Sequence, residues 1–169
     1  MKPAVLFGVL VAFAVGLFGQ APPKDVDGWG KIKWGMTVAQ AKSEYGDQAQ
    51  SSDDEGSVDA KYVQKLVIKS FAVGDVRMRV SIETRPNSDL VKQVGLMMAG
   101  PSDTASAGFA YNYLKGSLTQ KYGPPAIQGK DTEPVIWSFP STVIRLSISE
   151  YWGVFLDYTA TDQKARDAL

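Results

Sequence analysis

The sequence predicts an α+β fold in which an antiparallel sheet is covered by two helices, and three observations predict it. Two stretches place apolar residues at helical spacing, and each closes on a glycine. Six stretches are β-branched or alternate apolar with polar residues. The order is helix, three strands, helix, three strands, which reads as a tandem duplication of a helix-plus-three-strands unit.

The first helix is expected from Val38 to Tyr45. Thr37 and Gln40 have the spacing of a capping box, in which each side chain satisfies an amide that the first helical turn leaves unpaired. Val38, Ala41 and Tyr45 share one face, and Gly46 ends the helix. Strands are expected over Tyr62 to Phe71, Val76 to Glu83 and Leu90 to Met98, the first two joined by a hairpin at Val73-Gly74-Asp75. In the second of these, Val76, Met78, Val80 and Ile82 alternate with Arg77, Arg79, Ser81 and Glu83, so one face is buried and the other polar.

The second unit repeats the order. Ser102 or Asp103 caps a helix from Thr104 to Tyr122, with Ala107, Tyr111, Leu114, Leu118 and Tyr122 on one face. Gly123-Pro124-Pro125 terminates it. Strands follow from Val135, through Ile144 to Ile148, and from Trp152 to Tyr158. Three short strings recur in the same order. Ala41 to Gly46 parallels Leu118 to Gly123, Ile68 to Phe71 parallels Ile136 to Phe139, and Arg79 to Ile82 parallels Arg145 to Ile148.

Before these units lies an apolar run, Ala4 to Phe18, behind the single charge of Lys2 and ahead of the small residues around Ala21. This is the pattern of a secretory signal. The chain thus divides into a signal peptide at residues 1–21, a Pro-rich linker at 22–28, a first unit at 29–100, a second at 101–160 and a polar tail at 161–169. The folded part is expected outside the cytoplasm, periplasmic or secreted. It meets a membrane only if the N-terminal segment is retained.

Composition excludes several kinds of chemistry. Lys+Arg and Asp+Glu both number 18, so no net field favours nucleic acid. There is no cysteine, hence no disulfide, thiol nucleophile or thiolate metal site. There is no histidine, the commonest general base near neutral pH. No cofactor or metal site is expected. The acidic stretch Asp53-Asp54-Glu55-Gly56 with Asp59 lacks the spacing of a calcium loop and reads as a solvated loop.

The run Gly35-Met36-Thr37-Val38-Ala39-Gln40, followed by a short helix ending at Gly46, resembles the opening of the SmpA/BamE-type envelope lipoproteins. The duplicated unit is similar to the β-lactamase-inhibitor-protein-like architecture. The lipidated cysteine of those lipoproteins is missing here. The resemblance implies a non-enzymatic envelope module that binds other proteins.

The leading expectation is therefore an exported, non-catalytic module that binds a protein or an envelope polymer. The candidate contact residues are Trp29 and Trp34, beside the first helix start, and Arg77, Arg79 and Arg145, on the polar side of strands. The alternative is a small envelope hydrolase built on a carboxylate pair, with Glu83, Glu150 and Asp157 on or beside strands.

Overall fold

The computed structural model describes residues 25–52, 61–99, 103–130, 133–149, 151 and 153–162. The signal peptide, the start of the linker, the acidic loop, Glu150, Trp152 and most of the tail lie outside the described residues.

The first elements among the described residues are a small hairpin, β1 (Gly28–Trp29) and β2 (Ile32–Lys33), and then α1 (Val38–Tyr45). The capping box forms as expected: the Thr37 hydroxyl accepts from the Gln40 amide at 3.2 Å, and the Gln40 side chain accepts from the Thr37 amide at 2.9 Å. A short edge strand β3 (Gln50–Ser51) precedes β4 (Val63–Val73), β5 (Val76–Thr84) and β6 (Val91–Met98). Gly74 opens the two-residue β4–β5 turn at φ +57°, a conformation that glycine adopts without strain. Helix α2 (Thr104–Tyr122) is capped by Asp103, whose carboxylate accepts from the Ser106 amide at 2.8 Å. It leads to β7 (Val135–Ser138), β8 (Thr142–Ser149) and β9 (Gly153–Ala160).

The strands from β3 onward form one seven-stranded antiparallel sheet in the order β3-β4-β5-β6-β9-β8-β7. Two meanders, β4-β5-β6 and β9-β8-β7, meet at the central β6–β9 pair, where Leu96 faces Leu156. The sheet and both helices bear out the α+β expectation.

Alternation assigns the two faces. Leu66, Ile68, Met78, Val80, Ile82, Leu96, Ile144, Leu146 and Leu156 point to one side and are fully buried beneath Ala107, Ala110, Leu114 and Leu118 of α2. Trp137 joins this core, and its indole donates to the Gly123 carbonyl at 2.9 Å, tying β7 to the end of α2. Residues at the intervening positions lie on the opposite face. No helix among the described residues covers that face, and no such helix is long and apolar enough to cross a membrane.

Residues 25–28, read from sequence as the end of a linker, are held against the body. The Asp25 carboxylate accepts from the Ser141 amide at 2.9 Å and from its hydroxyl at 2.7 Å, and the Asp27 carbonyl accepts from the Trp34 amide at 3.0 Å. The Pro-rich composition suggested a linker, but Gly28 and Trp29 pair with Lys33 and Ile32 to fold the segment back.

Candidate functional site

The open face of the sheet carries a cluster of polar and charged side chains to which both meanders contribute. Cross-strand register sets Ser81 of β5, Gly95 of β6, Asp157 of β9 and Arg145 of β8 in one row. The next row toward one end is Arg79, Met97, Phe155 and Ser147. Toward the other end it is Glu83, Gln93, Thr159 and Val143. Because Gly95 has no side chain, the middle of these rows is hollow. The hollow measures about 190 Å³ and is walled by Gln64, Arg79, Glu83, Met97, Phe155 and Asp157.

The carboxylates of Glu83 and Asp157 converge on this gap. A β-carbon placed on Gly95 would lie 3.3 Å from Asp157 Oδ1, 3.5 Å from Glu83 Oε1 and 2.8 Å from Ser81 Oγ. The two carboxylate oxygens are thus no more than about 7 Å apart. Glu83 is held at both oxygens: Ser81 Oγ donates to Oε1 at 2.6 Å, and Gln93 Nε2 donates to Oε2 at 3.0 Å. The Gln93 carbonyl oxygen in turn accepts from the Thr159 hydroxyl at 3.1 Å. Asp157 makes no such hydrogen bond to the described residues.

These environments push both carboxyls in the same direction. Burial raises Asp157, the neighbouring Glu83 charge raises it further, and Arg145 opposes them in part, so that the group is pushed up to about 6. Burial also raises Glu83, against the hydrogen bonds from Ser81 and Gln93. Beside them, the Phe155 ring and the Met97 thioether give the hollow one apolar wall.

The arginines predicted from sequence separate into two groups. Arg77 and Arg79 are one pleat apart on β5. Arg145 lies across two intervening strands, on β8, roughly 15 Å from Arg79 at ordinary strand spacings. They therefore flank the hollow from opposite sides and do not form one basic cluster. Arg77 sits at the end of the sheet, beside Phe109 of α2.

The two tryptophans are on the other side of the sheet. Trp29 is only 9% exposed, stacked near Tyr45 with ring centroids 6.0 Å apart and edge-on to Phe71 at 5.1 Å. Trp34 is half-buried against the core, and its indole donates to the Thr142 hydroxyl at 2.6 Å. The hairpin at residues 28–33 turns the Trp29 ring inward, whereas Trp34, just beyond it, keeps part of its ring at the surface.

Sequence reasoning passed over Gly95, Ser81, Gln93, Met97 and Phe155. Their one local signal was a glycine inside an otherwise regular strand, which marks a close approach or a missing wall. Among the described residues no group of three or more acidic side chains is placed to hold a metal ion.

No protein-family model matches the chain, and no curated protein matches it. A solved structure with a similar outline is the crystal structure of a DUF4309 family protein (YjgB) from Bacillus subtilis subsp. subtilis str. 168. It is 8% identical, with a TM-score of 0.42, over 74% of this chain and 78% of that one.

Proposed function

We propose that the chain is an exported, non-catalytic binding module and that the open face of its sheet takes a protein segment or an envelope polymer. The observation that carries this reading is the hollow at Gly95, set in an uncovered sheet face with an apolar wall, two carboxylates and a flanking arginine on each side. Such a surface offers stacking, donors and acceptors together, the mixture that orients a polymer laid across strands. Arg79 and Arg145 are the contacts at its two margins, with Arg77 extending the β5 side. Export rests on the basic tip and apolar run at residues 1–21. The likeness of residues 35–46 to the SmpA/BamE opening points the same way.

The duplication belongs to the same reading. If Arg79 matches Arg145 and Ser81 matches Ser147, register makes Met97 the counterpart of Asp157 and Gly95 that of Phe155. The central pairs Gly95 with Asp157 and Met97 with Phe155 then exchange under a two-fold through Leu96 and Leu156. Two copies of one unit joined at their last strands would pair in this way. The hollow is then where the copies differ, the first carrying Gly95 where the second has Phe155, and the second Asp157 where the first has Met97.

Hydrolysis is the second reading, favoured by two carboxylates within about 7 Å of each other and by an Asp157 raised to about 6. It needs one carboxyl held as acid and the other ionised by its environment. Here the Glu83 charge helps to raise Asp157, in the sense of that division, but both Glu83 oxygens are engaged by Ser81 and Gln93, which leaves neither for the role of nucleophile or base.

The test is photocrosslinking in the native envelope from a reactive residue at Met97, compared with one at Ser43 on the helix side. Adducts confined to position 97 and lost in the Arg79→Glu/Arg145→Glu variant are expected. Equal adducts from both positions, or none from position 97 together with no sedimentation of the chain on envelope polymer, would overturn the binding reading. Turnover of a glycan or ester substrate, lost on Asp157→Asn, would establish the hydrolase.

A further inference from the structure

The helix-covered face contains a second hollow, about 240 Å³, independent of the open face. It arises from unequal cover. Helix α2 has 19 residues and α1 has 8, so α2 runs along the sheet for roughly 28 Å and α1 for roughly 12 Å. The space between α2, the β1–β2 hairpin and the end of β4 is left unfilled. Its walls are Trp29, Phe71, Val73, Leu114, Leu118 and Leu156. Interiors of this density do not leave a slot of that size by default. One lined by aliphatic and aromatic carbon gives water few partners.

Polar groups occur at the mouth and at one end. Ser117 and Lys121, four residues apart on α2, stand on the same helix face at the rim. Neither makes a hydrogen bond or ion pair with a described residue, and the Lys121 ammonium lies 4.9 Å from the Tyr122 ring centroid, at the surface. Tyr122 and Tyr158 are buried and bonded to each other at the inner end.

We infer that this slot binds a single-chain amphiphile with an anionic head, an alkyl carboxylate, its chain against Phe71, Val73 and the edge of Trp29 and its carboxylate on Ser117 and Lys121. The apolar walls account for the chain. The Ser117 hydroxyl and the Lys121 ammonium, at i and i+4 on α2, stand on one side of the rim, where a carboxylate accepts from both. Among the described residues no carboxylate lines the slot, so none of them repels the head.

The experiment is a calorimetric titration of the full chain with decanoate below its micelle concentration, beside decyltrimethylammonium, which has the same chain and the opposite head. Saturable decanoate binding is expected, at least tenfold tighter than that of the cation. Lys121→Glu should remove that preference. Ser117→Trp, which places an indole at the rim from the surface of α2, should abolish binding of both, with unchanged thermal unfolding showing that each variant is folded. No saturable binding by the wild-type chain would overturn the assignment. So would equal affinity for the two heads, or decanoate binding that survives Ser117→Trp.

Discussion

Gly95 and Asp157 are direct cross-strand partners, and the Asp157 carboxylate comes within 3.3 Å of the position a β-carbon on Gly95 would take. The acid therefore leans into space that only glycine leaves. Gly95→Val fills that space from the floor. It should displace Ser81, whose Oγ would be 2.8 Å from the new carbon, and break its hydrogen bond to Glu83. The expected cost is roughly 1–3 kcal/mol in urea unfolding, with complete loss of crosslinking through the open face. Retained crosslinking in a folded Gly95→Val protein would move the contact elsewhere.

The same acid makes stability depend on pH. Asp157 is pushed up to about 6 in the folded chain, while in the unfolded chain it titrates near its ordinary value of about 3.9. Below about pH 4 it is protonated in both states and costs nothing. Between about 4 and 6 the unfolded state gives up its proton first, so stability falls as pH rises, and it stays lower above 6. Asp157→Asn should thus stabilise the protein by roughly 2 kcal/mol at pH 8 and by almost nothing at pH 3.5. Chemical denaturation across that range checks it, and a gain that does not vary with pH would mean that another cause is at work.

Thr142 is fully buried, and its hydroxyl both accepts from the Trp34 indole and donates to the Val26 carbonyl. Thr142→Val keeps the shape and leaves both partners unsatisfied, so a loss of roughly 2–4 kcal/mol is expected. Amide exchange should show residues 25–34 opening before the sheet. Uniform loosening of the whole molecule would be the contrary result.

Much of this architecture is legible in the chain because the signals are local. Thr37 and Gln40 state where α1 starts, and the apolar spacing from Ala107 to Tyr122 states the buried face of α2. Strict alternation from Val76 to Glu83 put Arg79 and Glu83 together on the polar side before any partner strand was known. What was not legible depends on register between distant strands. Gly95 and Asp157 are far apart in sequence, and nothing near either residue announces that β6 and β9 pair. The direction of the Trp29 ring is not legible for a related reason. Strands β1 and β2 have two residues each, too few to show a period, so the direction of the indole is decided by Tyr45 and Phe71, which it meets only in the folded state.

The β4–β5 turn separates two costs that one substitution usually mixes. A β-carbon on Gly74 would fall 1.8 Å from the Tyr113 hydroxyl of α2, and φ is +57°. Gly74→Ala should cost roughly 2–4 kcal/mol. In the Tyr113→Ala background the steric part disappears and about 1 kcal/mol of backbone strain remains. Additivity in that double-mutant cycle would show that the ring and the turn are not coupled.

The seam between β6 and β9 also bears on how the chain reaches its fold. Every other neighbouring pair from β4 onward joins strands that follow one another in sequence, whereas this one closes over the whole of α2, β7 and β8. Each meander can zip locally, but the sheet is complete only after this slow, long-range closure. Until then two raw edges, Val91–Met98 and Gly153–Ala160, are exposed together. Because each edge fits the other, two nascent chains could close the seam reciprocally, giving an exchanged dimer with the same contacts as the monomer. Dilution during refolding is what steers the chain to closure on itself.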